Sequence, residues 1–425
     1  MLWPLIRSGK LKSMTPAKQG TVAGADDVFG DAAATRLRAA QAALIDVLAL
    51  AGVGGARAAD LGRQLGLDKT LAWRVARFVE ESDPLRAARH LPGGGGVEIV
   101  LRAAEGQGVD ARRLEAMRVA DRQLRDFVRQ HAGDRRSFEA MLLRGRRDPG
   151  VESDERRELF RAGSVVWGVR AQTQVLALVL RPSDAVSGML DVLQVGGLIG
   201  LERLRADLPW IVRRLRVSDD AEREGQSVRR TPLDPDSVTA GGMPLIPRFC
   251  SRPLPELRRF AGTDGTHYDE LVPGQVGREG LVTCVSGERY EAAVPHVWSE
   301  QNTAARYRLI VRTPVQHVLF DLYLHESLRH WGDATMRIDS LLEDRPRTEM
   351  SDTAGAPILA PTPASRLGAP PKVQSSRYAD HGNVIRWAVE RAGWGSVEDF
   401  RGYRAEFEYP PPPCEFEIAC AIARS

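Results

Sequence analysis

From Ala32 to Leu143 apolar residues recur at intervals of three and four, Gly and Pro punctuate the runs and β-branched stretches are rare, so this half of the chain is expected to be all or nearly all helical. Ala39–Ala51 predicts a helix with Leu44, Val47, Leu48 and Leu50 turned inward. The stretch from Ala58 to Glu81 divides at Gly66-Leu67-Asp68: Gly66 can end one helix in the left-handed conformation and Asp68 can cap the next. Leu61 and Leu65 share a face of the first member, and Leu71, Val75, Phe78 and Val79 form the inner stripe of the second. Asp110–His131 predicts a third amphipathic helix, with Leu114, Met117, Leu124, Phe127 and Val128 on one side and Asp121 interrupting it. Such a helix either pairs with a second copy of the chain or packs on its own domain.

After Pro149 the texture changes. Val165–Leu180, Met189–Ile199, Gly280–Val294 and Arg306–Leu324 are rich in Val, Ile and aromatic residues between Gly and Pro, which predicts strands and a mixed α+β domain. Ser218–Gly242 is polar and Pro/Gly-punctuated, as a long loop or an internal boundary would be. The expected fold is therefore α+β. A basic leader (1–30) precedes an all-α helix-turn-helix domain resembling a winged helix (31–148), then an α+β domain (149–344). A Pro-rich linker without periodicity (345–376) leads to a tail of one helix and two strands (377–425). The tail helix is expected at His381–Ala392 and its strands at Tyr403–Tyr409 and Glu415–Ala423, and since so small a unit seldom stands alone it is expected to dock on the α+β domain. Trp387, Trp394, Phe400, Tyr403, Phe407 and Tyr409 are expected to form its core.

The net charge of +3 is unevenly spread: residues 1–150 hold 25 Lys and Arg against 18 Asp and Glu, leaving the remainder acidic. A basic front suits a partner that carries phosphates. The four cysteines have no CxxC or Cys/His spacing, which argues against a zinc ribbon or a disulfide framework and for a reducing compartment. With no long uncharged apolar run, the expectation is a cytoplasmic protein that engages no membrane.

The outer face of the helix that follows Asp68 carries Lys69, Thr70, Trp73, Arg74 and Arg77. Short hydroxyl and cationic groups at a helix N-terminus can meet phosphates and base edges, and arginine can bond a guanine bidentately. Over Leu61, Leu65-Gly66-Leu67, Lys69-Thr70, Arg74 and Phe78 the sequence resembles the bacterial winged-helix transcriptional regulators of the IclR and MarR type. The resemblance is confined to Ala39–Glu81 and implies DNA reading by this helix, together with a short basic-tipped hairpin, the wing, just after it. The chain there reads Asp83-Pro84-Leu85-Arg86, Arg89-His90-Leu91-Pro92 and four glycines. Arg86 and Arg89, with Arg102, Arg112 and Arg113, could extend a phosphate-contacting surface.

Other chemistry is weaker in the sequence. Gly93–Gly96 has neither a preceding strand nor GK[ST] or GxGxxG, and reads as a flexible turn. His317, Asp321 and His325 would share a helical face and could hold a metal, but on a strand the two histidines stand more than about 20 Å apart and the site dissolves. Cys250 or Cys284 could act as a nucleophile only beside a histidine such as His267 or His296. The expectation is thus a sequence-specific DNA-binding regulator acting on double-stranded DNA, as a homodimer, without a cofactor, whose second half senses a small-molecule effector or a partner. The alternatives are an interaction protein that uses the helix-turn-helix for protein contacts, and an enzyme with its site in residues 150–345.

Overall fold

The structure, a computed structural model, describes residues 23–143, 149–216, 229–237, 242–263, 265–299, 302–342 and 357–423. They divide into two compact units, one up to Pro149 and one from Gly150 onward. The class is mixed α+β, with helices gathered in the first unit and strands in the second.

The first unit comprises α1 (Ala23–Leu50), α2 (Ala58–Leu65), α3 (Lys69–Glu80), the single turn α4 (Pro84–Ala87), a 3-10 turn at Ala88–His90, α5 (Gly94–Gly106), α6 (Ala111–His131) and α7 (Arg135–Leu143). Their apolar stripes meet in one core around Leu44 and Val47 of α1, Leu61 and Leu65 of α2, Val75 and Phe78 of α3, and Leu114 and Leu124 of α6. Leu50, expected inside, is 54% exposed at the end of α1. The expected leader ends earlier than 30: Ala23–Gly30 is already α1, anchored by Phe29, which stacks on Phe127 with centroids 5.5 Å apart. Residues 1–22 of that leader lie outside the described residues. The apolar face of α6 is buried in its own unit and so is no open seam for a second copy. Asp121 sits in that face at low cost, because Arg125 bonds both its oxygens at 2.7 and 2.9 Å.

Two local expectations fail here. No strand forms between α3 and α5, so the hairpin wing is replaced by α4 and the 3-10 turn. The four glycines are no flexible turn either: Gly93 precedes α5 and the other three form its first turn. A side chain at Gly96 would press into Leu71 Cδ1 at 2.9 Å, so the missing side chain lets α5 approach α3.

The second unit opens with α8 (Pro149–Trp167) and holds three sheets. Its centre is a seven-stranded sheet in the order β12 (Ser365–Gly368), β13 (Phe400–Glu408), β9 (Val315–His325), β1 (Val169–Pro182), β2 (Met189–Arg203), β7 (Val282–Pro295), β4 (Arg229–Pro232). The β1–β9 pair is parallel, and the other pairs are antiparallel. A four-stranded sheet, β11 (Pro357–Pro363), β10 (Trp331–Ser340), β14 (Cys414–Ile422), β8 (Ala304–Val311), shares a core with one face of it. Helix α9 (His381–Arg391) shares a core with the other. Both faces of β1 are therefore buried, with Leu176, Leu178 and Leu180 in the first core and Val175, Ala177 and Val179 in the second. That explains an apolar run with no polar alternation. The third sheet is β3 (Trp210–Arg216), β6 (Thr266–Leu271), β5 (Leu257–Ala261).

The strand expectations need three amendments. Val165–Trp167 belongs to α8, and the 306–324 run is two strands parted at Arg312-Thr313-Pro314, where proline lacks a ladder donor. The expected linker contains β11 and β12, each at the edge of its sheet, where prolines cost no ladder bond; its residues 345–356 lie outside the described ones. Of 218–242, β4 and the 3-10 turn at Pro235–Ser237 are described, while 217–228 and 238–241 are not. The tail is woven in, with β13 beside β9 and β14 between β10 and β8. Its aromatics form no core of their own: Trp394 and Phe400 face α9, Tyr403 lies in the inter-sheet core with Phe407 packed against it, and Tyr409 meets Phe160 of α8. Among the described residues no helix is long and apolar enough to cross a membrane.

Candidate nucleic-acid interface

The turn between α2 and α3 is built as its residues dictate. Gly66 adopts φ +66°, open to a residue without a side chain, and the Gly66 and Leu67 N–H groups return to the Gly62 carbonyl. Asp68 stays extended and accepts from the Thr70 and Leu71 N–H groups at 2.9 and 3.0 Å, a cap worth about 1 kcal/mol. Leu71, Val75 and Phe78 are buried and Val79 half-buried, which fixes the rotation of α3 about its axis.

That rotation leaves Lys69, Thr70, Trp73, Arg74 and Arg77 all exposed. Lys69 and Arg74 make no ion pair among the described residues. Arg77 lies 3.6 Å from Glu80, one turn on. Trp73 is 46% exposed and meets His90 edge-on, with ring centroids 5.2 Å apart. Burial, and then the charges of Arg89 and Arg77, hold the His90 imidazole below its ordinary pKa. The 3-10 turn bearing His90 thus stands beside α3 where the wing was expected. Arg135 of α7 holds that turn by donating to the Leu91, Arg89 and Ala88 carbonyls at 2.5, 2.6 and 3.4 Å. Arg86 is exposed, 4.0 Å from Asp83, and Arg89 is half-buried. Arg102 and Arg112 are exposed and Arg113 pairs with Asp46 of α1 at 3.3 Å.

No family model matches the chain, and no curated protein matches it. The functional reading therefore rests on the residues alone.

Two supports of the interface are long-range and were missed in the sequence. Gln41 of α1, 8% exposed, donates to the Phe78 and Glu81 carbonyls at 2.7 and 2.9 Å and so closes the C-terminus of α3. Arg125 of α6 donates to the Pro92 carbonyl at 3.0 Å and fixes the entry to α5. A buried glutamine in an apolar helix stripe was the only signal for the first, and the second had none.

The other candidates are not brought together. His317, Asp321 and His325 lie along strand β9, so the helical spacing that would have joined them does not exist. Asp321, fully buried, receives Arg404 Nε at 2.8 Å and Nη2 at 2.7 Å, the Tyr323 hydroxyl at 2.7 Å, and sits 2.8 Å from His381 Nε2. Burial alone would raise its pKa, but the hydrogen bonds from Arg404 and His381 overcome that and hold it below the usual carboxylate value. His317 faces Arg377 and Glu408, and His325 faces Ser327. Among the described residues no three His, Cys, Asp or Glu side chains form a metal-sized group. Cys284 is buried and its thiol pushed far up, while Cys250 bonds the backbone of Val285. His296 neighbours His330 and His267 lies on β6, and among the described residues neither histidine forms a hydrogen bond with a thiol.

Proposed function

We propose that the protein is a DNA-binding regulator in which α3 enters the major groove. Lys69 and Thr70 would meet phosphates at its N-terminus, and Arg74 and Arg77 would reach base edges or phosphates further along. The observation that carries this reading is that all five outward residues of α3 are solvent-exposed while its opposite stripe is anchored, and that Lys69 and Arg74 have no acidic partner among the described residues. The 3-10 turn with His90, and Arg86 on α4, would stand where a wing flanks the helix. The α+β unit is the part that would respond to an effector or a partner.

Fluorescence anisotropy of the full chain with genomic duplex DNA tests this. Affinity should fall steeply with salt, and Lys69→Ala and Arg74→Ala should each lower the slope of log K against log salt by about 1. Binding that ignores both salt and these substitutions removes the proposal. A second reading, protein contact through the same face, is favoured by one feature, the half-exposed Trp73 braced by His90, since aromatics are enriched in protein interfaces. In that case a protein partner is lost on Trp73→Ala and DNA affinity is absent throughout.

A further inference from the structure

A shallow, open-mouthed pocket lies in the second unit where β1, β2, β3 and the end of β8 converge. Three arginines line it, Arg213 and Arg214 from β3 and Arg312 from the break after β8, together with Gln174, Leu198 and Thr313. Arg213 is 2% exposed; it pairs with Glu288 and lies 3.9 Å from Asp269, yet its Nε and Nη1 groups donate no hydrogen bond among the described residues. Arg214 is half-buried and Arg312 exposed, and neither has a carboxylate partner among the described residues. The Arg214 pKa is pushed below the usual arginine value, first by burial and then by the nearby charge of Arg312.

Unbalanced guanidinium charge that is partly removed from water is costly unless an anion accepts its N–H groups. The neutral groups are arranged compatibly. Trp210 Nε1 donates to Thr313 Oγ1 at 2.9 Å, which satisfies the oxygen and leaves the hydroxyl proton to be given away. Gln174 donates to the Ile310 carbonyl at 3.1 Å, so its amide is held in place at the pocket wall.

We infer that this pocket binds the oxyanion group, carboxylate or phosphoryl, of a small molecule, with Arg214 and Arg312 as a two-sided clamp and Thr313 as a neutral donor; Arg213, whose side chain leaves the other face of β3, is committed to Glu288 and Asp269. Planar guanidinium forks match either group bidentately. The inference concerns the second unit alone and does not depend on the DNA reading.

Thermal unfolding of the full chain in inorganic phosphate and in acetate, against sodium chloride at matched ionic strength, tests it. A ligand that binds only the folded state raises Tm with the logarithm of its concentration. The expected result is a rise in at least one of the two oxyanions beyond that in chloride, which Arg312→Gln abolishes and the double variant Lys69→Ala/Arg74→Ala keeps. Arg312 is exposed, so the glutamine variant should fold, and circular dichroism checks that it does. Arg312→Lys, which keeps the charge but not the fork, should retain a reduced rise. Equal shifts in phosphate, acetate and chloride overturn the proposal. So does a rise that survives Arg312→Gln, or one that vanishes only in the α3 double variant, which would place the anion on the first unit.

Discussion

Asp321 and Arg404 are direct register partners across β9 and β13, and their two-point hydrogen bond is sealed inside the second unit with His381 and Tyr323 on the same carboxylate. The residue whose spacing to two histidines suggests a metal is thus neutralised by an arginine from the tail. Removing the arginine leaves a buried charge short of its main partner. Arg404→Met should destabilise the unit by about 3–5 kcal/mol in urea denaturation, and a loss below about 1 kcal/mol would contradict the assigned role.

The α3 helix is held at both ends by side chains. Asp68→Ala should cost about 1 kcal/mol, and Gln41→Leu, which strips hydrogen bonds from the Phe78 and Glu81 carbonyls in a part-buried setting, about 1–3 kcal/mol. Far-UV circular dichroism during thermal unfolding measures both. A neutral Gln41→Leu would mean that water satisfies those carbonyls.

Glu80 competes for Arg77 across one helical turn at an exposed pair. On the DNA-binding reading, Glu80→Gln releases that arginine and removes a repulsive charge, and should tighten duplex binding roughly 2- to 5-fold, the size expected of an exposed pair. Anisotropy at fixed salt reads it out, and weaker binding would exclude Glu80 from the neighbourhood of the duplex.

His90, His296 and His317 are all held below the ordinary histidine pKa, in each case chiefly by burial. Arg89 and Arg77 add to this at His90, His330 at His296, and Arg377 at His317, where Glu408 and Glu406 oppose it. A depressed pKa means that the unfolded chain takes up protons first. The contribution is complete above about pH 6.5 and is lost as pH falls from there through the folded-state values. Tm measured between pH 8 and 5.5 should therefore decline on the acid side, with His317→Gln flattening part of the decline. An increase in Tm toward pH 5.5 would refute the direction.

The pair of helices α2 and α3 and the glycine bend between them were legible because their determinants are local. Gly66, Asp68 and the Leu61, Leu65, Leu71, Val75 and Phe78 positions act within a few residues of one another, and each does in the structure what its chemistry implies. The replacement of the wing was not legible, since it depends on Arg135, more than forty residues away, gripping the backbone of 88–91. Strands β11 and β12 were hidden by prolines that read as linker punctuation, because sequence does not reveal which strands will be edges. The arginine pocket was invisible for a similar reason: Arg214 and Arg312 are far apart in sequence and meet only through the folding of three sheets.

The order of strands has a temporal side. Both β13 and β14 follow every other described strand of the second unit in the chain, yet each lies between two neighbours, so β9, β10 and β8 keep open rims until the segment that carries them arrives. A ribosome would therefore release this unit with sticky borders, while the first unit, whose described elements all precede the second in the chain, could condense early. Aggregation during synthesis is the hazard built into such an arrangement, and clipping the segment that carries β13 and β14 should yield inclusion bodies rather than a smaller folded protein.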